Sequence, residues 1–124
     1  MKRILMLCLC ALLLCSCDSN KEQVSGTNES KNISCAQKDE MMNDGAVLID
    51  VRSASEYAEG HLNNSINLTV DTIGVNIETL VPDKNTKIIV YCRSGNRSAT
   101  ALETLNNLGY KNVYDLGAMS NCSN

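Results

Sequence analysis

Cys92 closes an uncharged run of β-branched and aromatic residues, Ile88 to Tyr91, and the six residues after it are Arg93-Ser94-Gly95-Asn96-Arg97-Ser98. The run reads as a strand buried on both faces. A helical pattern follows, with Ala101, Leu102, Leu105 and Leu108 on one face and Gly109-Tyr110 as its stop. The cysteine therefore stands where a parallel strand hands over to a helix. Successive backbone N–H groups in such a tight loop, with the helix N-terminus, make a concave anion site. A sulfur at its centre is favoured as thiolate, because N–H dipoles and arginines stabilise negative charge. The same cradle suits the outer sulfur of a persulfide anion, or an oxyanion such as thiosulfate.

Three chemistries could use this loop: sulfur transfer, phosphate-ester hydrolysis and arsenate reduction. Counted inclusively, Cys92 to Arg97 is six residues. A cysteine phosphatase loop, Cys-x5-Arg, is one residue longer and wraps a tetrahedral phosphate. Its closing arginine is replaced here by Ser98. The shorter loop favours the smaller electrophile, a sulfane sulfur.

Cys92-Arg-Ser-Gly-Asn-Arg-Ser98 resembles the active-site loop of the rhodanese (sulfurtransferase) family. The run Leu48-Ile-Asp50-Val-Arg52-Ser-Ala-Ser-Glu56-Tyr-Ala-Glu-Gly60-His61-Leu62 resembles the family's earlier motif. The resemblance covers roughly residues 32 to 120. It implies an α/β rhodanese-like fold, a central mostly parallel sheet of about five strands with helices on both faces. It implies catalysis by Cys92, an active and substrate-binding loop of Arg93, Ser94, Gly95, Asn96, Arg97 and Ser98, and support from Asp50 and Arg52. Cys92 thiolate would take a sulfane sulfur from a donor such as thiosulfate. The resulting persulfide would pass it to cyanide, a thiol or a protein acceptor, with no cofactor and no metal. The alternative is an envelope redox or sulfur-carrier module with little free turnover.

Arg93 is read as facing substrate and Arg97 as shaping the loop. Either could pair with thiosulfate's oxygens or with a carboxylate such as Asp50 or Glu56. Gly95 is expected to supply a positive φ. Ser94, Asn96 and Ser98 contribute N–H groups, with Ser98 a candidate helix cap. Asp50 and Arg52 could guide substrate or form an ion pair tying the rim together. His61, the single histidine, is read as structural, since an ionised thiol needs no distant base.

Cys92 is not the chain's first cysteine. Lys2-Arg3 followed by the apolar run Ile4 to Leu14 is a targeting segment, too short for the ~20 residues that span a bilayer. Leu14-Cys15-Ser16-Cys17 resembles a bacterial lipobox. The domain reading is thus a lipoprotein signal peptide, 1–16, a lipidated tether, 17–31, and a rhodanese-like domain, 32–124. Cys17 would carry the lipid, giving a membrane-anchored protein of the bacterial cell envelope, outside the cytoplasm in the periplasm. Inner versus outer membrane stays open. Loss of residues 1–16 leaves nine basic side chains against 14 acidic. That balance, without a basic tract, excludes a typical nucleic-acid binder. Of seven cysteines, only Cys35, Cys92 and Cys122 remain as thiols. Cys35 and Cys122 could be incidental, disulfide-bonded, or able to resolve a Cys92 persulfide.

The elements that must hold Cys92 alternate along the chain. Asn32-Ile33-Ser34 reads as a short edge strand, with Ser34 capping a helix over 35–43. Residues 46–49 form a buried strand ending at Asp50, and Ser53 or Ser55 caps a short helix stopped by Gly60. A strand over 65–68 precedes a helix carrying Val70, Ile73, Ile77 and Leu80, weakened by Gly74 and Asn76. Residues 111–116 supply the last strand. Alternating strands and helices imply a parallel sheet whose ligands sit at the strands' carboxyl ends. Asp50-Val51-Arg52 and Cys92 should therefore meet at one rim.

Overall fold

A computed structural model of the chain describes residues 31–122. The signal peptide, Cys17 and nearly all of the tether lie outside them. Helix α1 (Cys35–Asn43) is followed by β1 (Val47–Asp50), α2 (Ala54–Glu59), β2 (Ile66–Asn67) and α3 (Ile73–Leu80). Then come β3 (Lys87–Cys92), α4 (Asn96–Asn107), β4 (Asn112–Ala118) and a 3-10 turn, Met119–Cys122. The four strands run parallel in the order β2-β1-β3-β4.

The sheet has four strands, not about five. The expected edge strand at Asn32 is reduced to one parallel bridge to Asp115. Its polar neighbours Lys31, Asn32 and Ser34 leave one large apolar side chain, Ile33, to pack there. The strand expected over 65–68 keeps only two residues, because Ser65 turns inward to hydrogen-bond Leu62 and Tyr91.

Two apolar layers sandwich the sheet. On one face Ile49, Val51, Ile88, Val90 and Val113 pack against Ile73 and Ile77 of α3 and Ala101 and Leu105 of α4. On the other, Leu48, Ile89, Tyr91 and Leu116 meet Met41 and Met42 of α1 and Met119 of the 3-10 turn. The alternation along β1 and β3 sends successive side chains to opposite layers, as a doubly covered parallel sheet requires. Gly74, which weakens α3 intrinsically, has a packing reason. A Cβ there would meet Thr104 Cγ2 at 3.3 Å, so the glycine lets α3 lie close to α4.

Caps fix the ends of the elements around the site. Ser34 and Gln37 form a reciprocal capping box on α1. Ser53 caps α2 through the Glu56 N–H. Chain order reverses between β1 and β3: β2 lies outside one and β4 outside the other. Asp50 of β1 pairs in register with Tyr91 of β3. The carboxyl ends of the two central strands thus form the switch point where ligands of open parallel sheets are held.

Candidate active site

Cys92 is the last residue of β3, and α4 begins four residues later. Gly95 is the cap of α4, at φ +97°, a left-handed conformation costly for any residue with a Cβ. Ser98 is therefore not the cap: the left-handed turn at Gly95 starts the helix three residues earlier. Its buried hydroxyl donates to the Gly95 carbonyl at 3.0 Å and lies 3.7 Å from Cys92 Sγ.

The turn aims N–H groups at the sulfur. Gly95 N–H donates to Cys92 Sγ at 3.0 Å and Ser98 N–H at 3.4 Å. Burial pushes the thiol up, since charge is disfavoured away from water. The N–H and hydroxyl of Ser98 and the N–H groups of Gly95 and Ser94 outweigh it, so Cys92 titrates below an ordinary cysteine. Cys92 is 0% exposed. Its neighbours Arg93 and Ser94 are exposed, so the residue lies one layer beneath the surface of the loop.

The two loop arginines have different surroundings. Arg97 Nη1 and Nη2 each reach a Glu56 carboxylate oxygen at 2.9 Å, a two-pronged bridge from α4 to α2. The hydrogen bond from Arg97 holds the Glu56 carboxyl down to about 2. Arg93 has no hydrogen bond or ion pair among the described residues. It lines a cavity of about 520 Å³ with Glu56, Glu59, Leu62 and Met119.

Asp50 and Arg52 form a buried pair at the rim. Arg52 Nη2 donates to Asp50 Oδ2 at 2.7 Å and to the Gly60 carbonyl at 2.6 Å, and Nε adds 3.0 Å contacts to both carboxylate oxygens. Sequence reading missed Tyr91 here. Its hydroxyl donates to Asp50 Oδ2 at 2.9 Å and accepts from Leu62 N–H at 3.0 Å. The residue before the cysteine thus ties β1, β3 and the loop after α2 together. Its signal in the sequence was a tyrosine in an otherwise aliphatic strand, since a buried phenol needs partners. His61 stacks on Tyr57, centroids 3.7 Å apart, and its Nδ1 lies 2.8 Å from the Tyr57 carbonyl oxygen.

Cys35 and Cys122 form a disulfide, and Cys92 is the free cysteine of the described residues. Cys122 packs on the α1 side of the sheet and Cys92 on the α3–α4 side. Bonded to each other, Cys35 and Cys122 offer no thiol with which to resolve a Cys92 persulfide.

The family model of the rhodanese-like domain matches residues 34–121, well over half of the chain. The chain belongs to the rhodanese-like domain family. It is 38% identical over 71 residues to the thiosulfate sulfurtransferase PspE of Escherichia coli strain K12, taking in 57% of this chain and 68% of that one. It is 34% identical over 89 residues to the thiosulfate sulfurtransferase GlpE of Ectopseudomonas mendocina strain ymp, covering 72% and 80%. Longer proteins also match, among them a tRNA uridine(34) hydroxylase of Erwinia tasmaniensis, of which the chain spans 29%. Among solved structures, a rhodanese with anions from E. coli superposes at a TM-score of 0.62 with 34% identity, covering 64% of this chain and 93% of that one.

Proposed function

We propose that this rhodanese-type sulfurtransferase moves sulfane sulfur through a persulfide on Cys92, from thiosulfate or a similar donor to a thiophilic acceptor. The observation that carries this is the pair of N–H groups, from Gly95 and Ser98, 3.0 and 3.4 Å from Sγ. They hold negative charge on sulfur before reaction and on the outer sulfur after it. Cys92 thiolate attacks the outer sulfur of thiosulfate. The thiosulfate S–S bond breaks, sulfite leaves with the electron pair, and a Cys92–sulfur bond forms. A thiophile such as cyanide, a thiol or a partner protein then takes that sulfur, and the pair returns to Sγ. A covalent intermediate implies ping-pong kinetics.

Each surrounding residue has a role in this reading. Arg93, exposed and untied, draws in the donor's anionic oxygens. Arg97, engaged by Glu56, holds α2 against the loop. Asp50, Arg52 and Tyr91 keep the rim rigid beneath Cys92. Because Cys92 is fully covered, the donor enters when the loop over it gives way.

Thiosulfate should add the mass of one sulfur to the chain, and Cys92→Ser should abolish the gain. Loading without repeated turnover on small thiophiles would instead mark a sulfur carrier for an envelope partner. Release of phosphate from an aryl ester, with no sulfur gained, would overturn both.

The same proposal places the domain, 32–124, outside the cytoplasm on a tether, 17–31, lipidated at Cys17 after removal of residues 1–16. The Cys35–Cys122 bond supports an oxidising compartment. Cys17→Ser should move the protein from the membrane to the soluble fraction. Unchanged membrane retention would contradict the anchor.

A further inference from the structure

We infer that Asp115 is a positioning residue for Cys92: by fixing a bulge in β4 it seats the Gly95 turn, whose N–H holds the sulfur. This rests on Cys92 acting as a thiolate, as read above, and extends that reading to a side chain outside the active loop.

The bulge is visible in the register. Val90 of β3 pairs with Asp115 of β4, but Tyr91 pairs with Gly117 and Cys92 with Ala118. Leu116 is the extra residue, left out of the ladder. Bulges are rare between parallel strands, and this one stands beside the candidate nucleophile. An unbroken register would set Gly117 opposite Cys92 and turn every later side chain of β4 to the other face.

Two side chains hold the bulge. Asp115 Oδ1 accepts the Gly117 N–H at 2.7 Å, a local side-chain-to-backbone bond of the kind that shapes turns. Asp115 is buried, and its own backbone is pinned. Its N–H donates to the Lys31 carbonyl at 2.8 Å, and its carbonyl accepts the Ile33 N–H at 2.9 Å. From the tail, Asn121 Nδ2 donates to the Leu116 carbonyl at 2.9 Å.

The bulge then meets the active loop. The atoms that a Cβ on Gly95 would approach within 4 Å are Gly117 Cα, at 3.7 Å, and Gly117 C. Bare Gly117 backbone is thus the floor under the left-handed turn. Gly95 supplies the closer of the two N–H groups, 3.0 Å from Sγ. Asp115, Gly117 and Asn121 also line one cavity with Ser94, Gly95 and Asn96. The chain of contacts runs from the Asp115 carboxylate to the Gly117 N–H, the Gly95 backbone and the sulfur.

A carboxylate this close could instead act on Cys92 through its charge, and the two routes have opposite signs. Loss of a negative charge would favour the thiolate. Loss of the bulge would loosen the N–H contacts and disfavour it. The other charged groups around Cys92 are Arg97 with Glu56, Arg52 with Asp50, and Arg93. Substitutions at Asp115 leave all of them in place.

The test titrates the Cys92 thiolate by ultraviolet absorbance in the full chain and its variants, each against its own Cys92→Ser counterpart. Asp115→Ala should raise the midpoint by roughly half a pH unit. Asp115→Asn keeps an oxygen for the Gly117 N–H and should not raise it. Val113→Ala, a core truncation near the other end of β4, should lower the unfolding midpoint and leave the thiol unmoved. Asn121→Ala removes the second tie from an exposed residue and should raise the thiol midpoint as well. An unmoved midpoint in Asp115→Ala, or in Asn121→Ala where the former does not fold, would overturn the positioning role alone. A midpoint lowered by both Asp115 variants would do the same and assign the effect to charge. Sulfur loading by thiosulfate, followed in the same samples, keeps the readings apart. No sulfur gained by the unmodified chain would overturn the transfer itself.

Discussion

The chemistry at Cys92 depends on two N–H groups, and one residue, Gly95, aims them. Its φ of +97° is a conformation that costs a residue with a Cβ roughly 1–2 kcal/mol. A Cβ there would stand 3.7 Å from Gly117 Cα, so space is not the obstacle. Gly95→Ala should therefore fold, shift the turn and weaken the N–H contacts to Sγ. We expect the Cys92 thiol to titrate higher and sulfur loading at neutral pH to slow, both read in one stopped-flow pH series. Loading kinetics equal to those of the unmodified chain would show that the left-handed turn is not needed.

Two ties hold the elements around the loop. The first joins α4 to α2 through Arg97 and Glu56. The Glu56 carboxyl is held at about 2 by Arg97, below its ordinary ~4.3. A depressed carboxyl stabilises the folded state in full above its unfolded value and loses that stabilisation as pH falls through the folded one. Urea unfolding should show the unmodified chain losing stability relative to Glu56→Gln between about pH 4.3 and about 2. Parallel pH curves would mean the bridge contributes nothing. The second tie is Tyr91, whose hydroxyl satisfies Leu62 N–H and Asp50. Tyr91→Phe strands the Leu62 N–H, while Asp50 keeps Arg52, and should cost about 1–3 kcal/mol in denaturant unfolding. Much of this level was legible in the sequence. Ser34 announced its helix, Ser53 was one of two candidate caps for the next, and the alternation of strands with helices announced a parallel sheet. The helix start at Gly95 was not, because Ser98 is the better intrinsic cap and only the left-handed turn overrides it. Nor was the partner of Arg97. Glu56, 41 residues away, and Asp50 were equal candidates until Arg52 occupied Asp50.

At the scale of the whole molecule, the Cys35–Cys122 bond joins the start of α1 to the 3-10 turn across 87 residues. The turn carries Met119, part of the cavity wall, and Asn121, whose Nδ2 donates to the Leu116 carbonyl at 2.9 Å. Closing so long a loop stabilises a fold by roughly 2–4 kcal/mol. Mild reduction should lower the unfolding midpoint by a corresponding amount, measured against Cys35→Ser, which should be insensitive to reductant. An unchanged midpoint would show the cross-link to be energetically idle. Three cysteines among residues 31–122 made one such bond possible from sequence. Which two would pair depended on the sheet separating Cys92 from the others, a fact of tertiary structure. The cavity was likewise invisible, since its walls come from α2, the segment after it, the active loop and the tail.

The central claim is that Cys92 is held as an ionised sulfur by the N–H groups of its own loop. Ultraviolet absorbance of the thiolate, taken as the difference between the chain and its Cys92→Ser variant across a pH titration, measures this directly. The account predicts a midpoint below the ~8.5 of free cysteine, so that thiolate persists as pH falls past that value. A midpoint at or above it would contradict the account.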